Sequence, residues 1–349
     1  MCELSVNLGG LAMKNPVTVA SGTFGSGREY AELWATADLS GGKAPAQGSP
    51  AQTYSPCGLR SSHSTLVPEP ADISPAQTFL SALGAITTKG VSLTPWSGNK
   101  TPRIAETASG MLNSIGLQNK GVEAFCQDDL AWLSEHAAGT PVIVNVCGHS
   151  VDEFAPVIER LEHEAVVSAY EINISCPNLD RGGMALGVDP NVAAAVTRAC
   201  RAVTKRPLIV KLTPNVTDIT EIAKSVENAG ADALSLINTV AGMAIDANTR
   251  KPLLARGSGG LSGPAIKPIA LLAVYRCYKA VGIPLLGMGG IRNATDAIEF
   301  ILAGATAVAV GTASFTSPLT ALYLARDIGL WCEAHDVADI NELIGGLES

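Results

Sequence analysis

The sequence predicts an α/β protein that folds as one (β/α)8 barrel. Short apolar runs alternate with amphipathic segments along its 349 residues, which indicates a parallel sheet covered by helices. Eight such runs occur, the number of strands that closes a barrel. They are Pro16–Ala20, Ala85–Lys89, Pro141–Val146, Ala169–Ile174, Pro207–Leu212, Ala233–Ile237, Ile283–Met288 and Ala305–Val310. A doubly wound open sheet is the alternative, but it favours a GxGxxG motif after the first strand, which Ala20–Gly27 matches only loosely.

The segments that follow most of these runs predict the outer helices. They are Val151–His163, Pro190–Thr204, Asp218–Ala229, Pro264–Ala280, Ala294–Ala303 and Pro318–Ile328. We number the barrel strands one to eight in chain order and use these numbers throughout.

Three segments depart from the repeat. Residues 3–13 predict an N-terminal hairpin that turns at Gly9 and Gly10. Residues 38–80 have low complexity and predict a flexible insert before strand two, within a single domain that spans residues 1–349. Val240–Gly259 predicts an extended loop after strand six, on the face where barrel enzymes carry their chemistry.

Composition excludes several classes of function. The net charge is −8 and no basic cluster occurs, which argues against nucleic acid or an anionic membrane as a partner. The eight cysteines show no CxxC pair, and the five histidines show no HxxxH motif, so we expect free thiols and no metal site. The N-terminal sequence does not resemble a signal peptide, and no apolar run approaches the roughly 18 residues that span a bilayer. We therefore expect a soluble, cytoplasmic protein.

Small and polar residues dominate the predicted strand ends, where a barrel carries its site. They are Ser21, Lys89, Gly90, Asn145, Asn173, Cys176, Lys211, Asn238, Thr239, Gly289, Gly290, Gly311 and Thr312. The glycines after strands seven and eight precede helices, which predicts a phosphate site formed by backbone amides. The alternative is that these glycines only make tight turns. A further loop, Gly110–Asn119, brings Asn113 to the same face.

Lys211 lies within the apolar run PLIVKL, where an unpaired ammonium group costs free energy. The predicted strand ends contain no Asp or Glu to pair with it, and Lys89 raises the same question. An anionic ligand, or a Schiff-base role, would explain a lysine in this setting. Cys176 follows strand four as a candidate reactive thiol, although a buried, inert cysteine is the common alternative. This set of residues lacks hydrolase machinery and fits redox chemistry carried by a cofactor.

The chain resembles the class 1 dihydroorotate dehydrogenases over nearly its whole length except the insert. The matching stretches are NPVTVASGTFGSGREY, TPRIAETASGMLNSIGLQN, EINISCPN, VKLTPNVTDI, INTVAGMAID, GGLSGPAIKP and IPLLGMGGIRNATDAIEFILAGATAVAVGTA. The amino-acid sequences of the first and sixth stretches are most similar to those of the NAD-linked class 1B. That resemblance implies a partner subunit carrying FAD and a 2Fe-2S cluster, around a homodimeric core of a heterotetramer.

The resemblance also implies roles for individual residues. FMN would bind at Ser21, Lys89, Gly90, Asn145, Asn173, Lys211, Ile237, Gly263, Gly289, Gly290, Gly311 and Thr312, with Lys211 near its N1–O2 edge. Dihydroorotate would bind at Lys89, Asn113, Ser114, Ile115, Gly116, Leu117, Asn173, Asn178, Asn238 and Thr239. Cys176 would be the base that takes a proton from C5 while a hydride leaves C6. A cysteine suits this role because its reference pKa, about 8.5, lies near cellular pH.

Four other functions compete with this interpretation. A fumarate-linked class 1A dihydroorotate dehydrogenase and a flavin-dependent dihydropyrimidine dehydrogenase share the cysteine loop. A lyase or isomerase barrel would use Lys211 as a Schiff base on a phosphorylated sugar. A non-catalytic scaffold barrel would bind no flavin.

Overall fold

A computed structural model of the chain describes residues 2–35, 79–175 and 186–348. Eight parallel strands form the predicted barrel, so the predicted fold class is confirmed. The strands are Val17–Val19, Ile86–Thr87, Val142–Val146, Val167–Asn173, Leu208–Lys211, Ala233–Leu236, Leu285–Met288 and Ala307–Val310. Nearly all of their side chains are buried, because one face fills the barrel interior and the other lies under the helices.

The barrel closes at a seam between strands one and two. The hydrogen-bonded ladder runs from strand one through strand eight and then in descending order to strand two. Across the seam, the hydroxyl oxygens of Thr18 and Thr87 are 3.1 Å apart. The amide of Gly84 donates to the carbonyl of Val17 at 2.8 Å, and Asn15 Nδ2 donates to the carbonyl of Ala82 at 2.9 Å. Side-chain contacts and the backbone before strand two therefore close the barrel between strands one and two, which no hydrogen-bonded ladder joins.

We expect Gly84→Ala to destabilise the protein by about 3 kcal/mol, at the upper end for forced overpacking. A Cβ at this position would lie 1.9 Å from the carbonyl oxygen of Asn15, a backbone atom that cannot rotate away. Thermal unfolding measures the effect. Gly329→Ala is the control, because its Cβ would lie 3.6 Å from Leu4 and alanine favours the helix by about 0.5–1 kcal/mol. Equal melting temperatures for the two variants would contradict the close contact at the seam.

Helices cover the outside of the barrel, and the six predicted ones are all present. The α-helices are Ser21–Phe24, Arg28–Ala35, Val122–Ala124, Ala131–His136, Phe154–Leu161, Pro190–Val203, Ile219–Asn228, Lys267–Tyr278, Ala294–Leu302, Ala313–Thr316 and Thr320–Ala334. A π-helical turn spans Phe125–Leu130, and 3-10 turns span Val151–Glu153, Pro264–Ile266 and Ile340–Leu343. The last α-helix runs past its predicted end because Leu324, Ile328 and Cys332, four residues apart, continue one buried stripe.

A four-stranded antiparallel sheet lies beyond the carboxyl ends of the barrel strands. Its strands, in order, are Val240–Gly242, Gly259–Ser262, Gly110–Asn113 and Ile104–Thr107. The extended loop after strand six thus contains strands, together with the small pair Ile245–Asp246 and Lys251–Pro252. The prediction of a loop over Gly110–Asn119 is wrong for its first four residues, because Gly110–Asn113 pairs with both of its neighbours in this sheet.

The predicted N-terminal hairpin is present as Val6–Leu8 and Leu11–Met13. Most of the predicted insert lies outside the described residues, so its nature and the single-domain assignment remain predictions. The described chain resumes at Phe79 and Leu80, which are both buried in the core. Within the described ranges, no helix is both long enough and apolar enough to cross a membrane.

Candidate functional site

Strands three, four and five bring four polar side chains together inside the barrel. Asn145 is the register partner of Glu171, and Asn173 is the register partner of Lys211. Glu171 and Asn173 are two residues apart on one strand, so their side chains point to the same face. All four residues are at most 5% exposed. A polar cluster in an otherwise apolar barrel is where ligand binding or catalysis is expected.

Glu171 is the residue that the sequence analysis missed. Its Oε2 atom lies 3.7 Å from Lys211 Nζ, and the two side chains are 1% and 6% exposed. The expectation that Lys211 has no acidic neighbour is therefore wrong. Glu171 lies inside strand four rather than at its end, and the two-residue spacing to Asn173 was the available signal that it faces the barrel interior.

The contacts of Lys211 leave room for a ligand. Its Nζ atom lies 3.5 Å from Ser21 Oγ and 3.7 Å from Glu171 Oε2. Both distances exceed the usual range of about 2.7–3.2 Å for an N–H···O hydrogen bond. Among residues 2–35, 79–175 and 186–348, these two contacts do not use the full donor capacity of an ammonium group, which has three N–H bonds. Ser21 and Lys211, both predicted to contact the cofactor, are thus brought together.

A chain of hydrogen bonds runs from Glu171 toward the barrel mouth. Asn145 Nδ2 donates to Glu171 Oε2 at 2.5 Å, and Asn173 Nδ2 lies 3.4 Å from Asn145 Oδ1. Ser175 Oγ donates to Asn173 Oδ1 at 2.8 Å, and Asn238 Nδ2 donates to Ser175 Oγ. The predicted residues Asn145, Asn173 and Asn238 therefore belong to one network, in which Ser175 is a link that the sequence analysis did not single out.

Lys89 and Gly90 behave differently from each other. The side chain of Lys89 is exposed, so the expectation that it shares the apolar setting of Lys211 is wrong: Lys89 follows the short strand two and points to solvent. Gly90 is buried, and a Cβ there would lie 2.9 Å from Asn145 Oδ1. Glycine at position 90 therefore lets Asn145 hold its place in the network.

We expect Gly90→Ala to weaken, about tenfold or more, the FMN binding that the resemblance implies, because the added methyl group displaces the amide of Asn145. Quenching of FMN fluorescence on titration with apoprotein measures the dissociation constant. Gly282→Ala is the matched control, since its Cβ would make an ordinary 3.5 Å contact with Glu227. Parent-like affinity in Gly90→Ala would show that Asn145 tolerates the displacement.

Glycines after strands six and seven meet at close range. Gly263, Gly289 and Gly290 all have positive φ angles, of 93°, 130° and 85°. A Cβ on Gly290 would lie 3.0 Å from the carbonyl oxygen of Gly263 and 2.9 Å from Lys267 Cβ. Packing alone thus requires glycine here, and the tight turns that the sequence left as an alternative are present. Gly289 and Gly290 are half-buried, so part of their backbone is open, and the phosphate site itself stays a prediction.

Gly311 and Thr312 follow strand eight beside these turns. A Cβ on Gly311 would make an ordinary 3.5 Å contact with Ala20, so packing does not demand glycine at this position. Thr312 Oγ1 donates to Ser262 Oγ at 2.8 Å, which ties the end of strand eight to the antiparallel sheet. The two predicted halves of the phosphate site therefore lie on connected elements.

The predicted substrate loop extends from the antiparallel sheet. Asn113 Nδ2 donates to the carbonyl of Gly260 at 3.3 Å, and Ser114 Oγ accepts from Asn99 Nδ2 at 3.0 Å. Two more of its predicted residues, Gly116 and Leu117, have φ angles of 74° and 51°. A left-handed conformation is unusual for leucine, and such conformations cluster at ligand sites. The carbonyl of Ile115, between them and Ser114, accepts from the Asn99 amide at 3.0 Å, which fixes the loop.

The end of strand six supplies the remaining predicted residues. Ile237 is buried, whereas Asn238 and Thr239 are half-buried at the barrel mouth. Thr239 packs so closely on Gly260 that a Cβ at position 260 would lie 1.9 Å from Thr239 Oγ1. The extended loop after strand six is therefore anchored beside the strand end that it leaves.

Cys176 and Asn178 lie outside the described residues, so their predicted roles stay predictions. Burial raises the pKa of Cys126 to about 11 and the pKa of Cys200, Cys277 and Cys332 to about 12. These four thiols stay protonated near neutral pH and are poor bases or nucleophiles. Described thiols of this kind therefore do not compete with Cys176 for a catalytic role.

Residues 74–329 match the family model for dihydroorotate dehydrogenase. The chain belongs to the dihydroorotate dehydrogenase family. Among its curated relatives are NAD-linked dihydroorotate dehydrogenase B catalytic subunits from three bacteria. The Pelobacter propionicus protein is 47% identical over 346 residues, which cover 99% of each chain. The Lachnoclostridium phytofermentans protein is 49% identical over 341 residues and 98% of each chain, and that of Geobacter sulfurreducens is 46% identical over 346 residues, 99% of this chain and 98% of the relative.

Membership of the dihydroorotate dehydrogenase family confirms the resemblance inferred from the sequence motifs. It accounts for the position of the polar cluster at the carboxyl ends of the barrel strands, where barrel enzymes bind ligands.

Proposed function

We propose that this chain oxidises (S)-dihydroorotate to orotate in pyrimidine biosynthesis, as an FMN-dependent, NAD-linked dihydroorotate dehydrogenase. The observation that carries the proposal is the buried cluster of Lys211, Glu171, Asn145 and Asn173 at the barrel mouth, in a chain of this family. It combines one cation with carboxamides, which suits a planar ligand rich in amide groups.

The residues present fit a bound flavin mononucleotide. The half-buried glycines Gly289, Gly290 and Gly311 would offer backbone amides to a phosphate, and the buried Gly263 would line the flavin. Lys211 retains donor capacity for the edge of an isoalloxazine ring, where its charge would stabilise negative charge on the flavin. Ser21, Lys89, Gly90, Asn145, Asn173, Ile237 and Thr312 complete the proposed cofactor site. When bound, FMN would accept the hydride.

The proposed substrate site lies above the cofactor site, between strand ends and the antiparallel sheet. Asn113, Asn173, Asn178, Asn238 and Thr239 would bind the amide edges of dihydroorotate, with the loop from Ser114 to Leu117 as a wall. The exposed ammonium group of Lys89 would bind the carboxylate. Cys176 would remove the C5 proton, because it follows the network residue Ser175 directly in sequence.

A partner subunit would carry electrons onward to NAD. The relatives are named catalytic subunits, and that name supports a second subunit for this chain as well. We propose that the partner is an iron–sulfur flavoprotein with FAD and a 2Fe-2S cluster, joined to a homodimer of this chain in a heterotetramer in the cytoplasm.

The colour of the purified chain tests the proposal. We expect a yellow protein that dihydroorotate bleaches under anaerobic conditions, and that dihydrouracil does not bleach. NAD reduction should require co-expression with the iron–sulfur flavoprotein. A colourless protein that borohydride traps on a phosphorylated sugar would overturn the proposal, and fumarate reduction by this chain alone would overturn the NAD linkage.

A further inference from the structure

We propose that Glu171 is a positioning residue that holds Lys211 and Asn145 in place and supplies the negative charge that balances Lys211 beneath the ligand site. This inference rests on the proposed function insofar as the ligand next to Lys211 is a flavin. Glu171 lies inside strand four and is not among the strand-end residues predicted from the sequence.

The carboxylate of Glu171 is buried and has polar partners on both oxygen atoms. Glu171 is 0% exposed, so water cannot stabilise its charge, and an unpaired ionised carboxylate would be very costly there. Its Oε1 atom accepts from Ser235 Oγ at 2.7 Å and its Oε2 atom from Asn145 Nδ2 at 2.5 Å. Lys211 Nζ lies 3.7 Å from Oε2. Two hydrogen bonds and one cation thus surround the carboxylate.

The hydrogen bonds that link Glu171, Asn145 and Asn173 have a defined direction. An ionised carboxylate can only accept, so the amide group of Asn145 must turn its Nδ2 atom toward Glu171. Asn145 Oδ1 then faces Asn173 Nδ2, and Asn173 Oδ1 accepts from Ser175. The acidic group at the bottom of the network therefore decides which amide atoms Asn145 and Asn173 present near the ligand.

Lys211 and Glu171 together determine the charge near the proposed ligand site. Lys211 and Glu171 form a buried pair with almost no exposure, and buried charges interact across a medium that screens them poorly. A ligand beside Lys211 Nζ therefore experiences the ammonium together with the carboxylate behind it. Removal of the carboxylate charge makes the site more positive, which favours the addition of electrons to a bound flavin.

The test compares Glu171→Gln with Glu171→Asp and Ser235→Ala by the reduction potential of bound FMN, measured by equilibration with reference dyes. Glu171→Gln should shift the potential to a more positive value, because glutamine keeps the shape and lacks the charge. Glu171→Asp and Ser235→Ala keep the charge, so their potentials should stay near that of the parent. A parent-like potential in Glu171→Gln, or an equal shift in Ser235→Ala, would overturn the proposal.

Two further measurements cover a variant that loses flavin or fails to fold. If Glu171→Gln is purified as apoprotein, it should bind FMN at least tenfold more weakly than Glu171→Asp, and equal dissociation constants would overturn the proposal. If it does not fold, the double variant Glu171→Gln, Lys211→Met should fold, because it removes both charges; its failure to fold would also overturn the proposal. None of these measurements uses dihydroorotate, so a chain that binds FMN without oxidising dihydroorotate would overturn the proposed function alone.

Discussion

Cys176→Ala should lower the turnover of dihydroorotate by about 10²- to 10⁴-fold, the usual contribution of a general base. The variant should keep its bound FMN, because the proposed flavin contacts come from other residues. The acidic limb of the pH profile of kcat/KM, where activity rises as a general base loses its proton, should disappear in the variant. Anaerobic stopped-flow absorbance of the flavin band measures the half-reaction directly.

Cys200→Ala is the matched control for this experiment. Cys200 lies buried in the helix Pro190–Val203, and burial raises the pKa of its thiol to about 12. Its loss should lower the melting temperature slightly and leave the rate of flavin reduction unchanged. Parent-like flavin reduction in Cys176→Ala would remove Cys176 from the mechanism, and the search for the base would move to Ser175 and its neighbours.

Lys211→Met should destabilise the protein by about 3–5 kcal/mol, because it leaves the buried carboxylate of Glu171 without its cation. We also expect the variant to be purified with little or no FMN. Chemical denaturation of the apoproteins measures the first effect separately from the second. Lys120→Met is the control and should cost far less, because it removes the ion pairs of a 46% exposed lysine side chain with Asp128 and Asp129.

The double variant Lys211→Met, Glu171→Gln separates stability from function. Removal of both charges should restore most of the lost stability, because a neutral pair is often no worse than a buried ion pair. FMN affinity should remain weak, because the cation proposed to face the flavin is still absent. A single variant as stable as the parent would mean that Glu171 does not depend on Lys211.

The repeat of apolar runs was sufficient to predict the barrel. All eight predicted strands occur where the runs lie, since a strand buried on both faces is mostly apolar. The antiparallel sheet at the mouth was harder to predict. Gly110–Asn113 pairs with Gly259–Ser262, more than a hundred residues away, and glycine-rich strands carry a weak local signal. Tertiary pairing, rather than local preference, makes these residues strands.

The same distinction holds within the candidate site. Ser21, Asn145, Asn173 and Lys211 were predictable because polar residues stand out at the ends of apolar strands, and the structure brings all four together. Glu171 does not stand out in this way, because it lies inside strand four, two residues before Asn173, which ends the strand. A carboxylate inside a strand becomes recognisable once its partners on two neighbouring strands are known.

The seam of the barrel bears on how the chain tolerates added length. Residues 36–78 connect strand one to strand two, the neighbours that the ladder does not join. Where two consecutive strands are hydrogen-bonded to each other, a longer or shorter connection must still keep every residue opposite the same partner. Here the closing contacts are made by Thr18, Thr87 and the chain around Gly84, close to the start of strand two. A change in length before Phe79 should therefore leave the pairing of strand one with strand eight and of strand two with strand three unchanged.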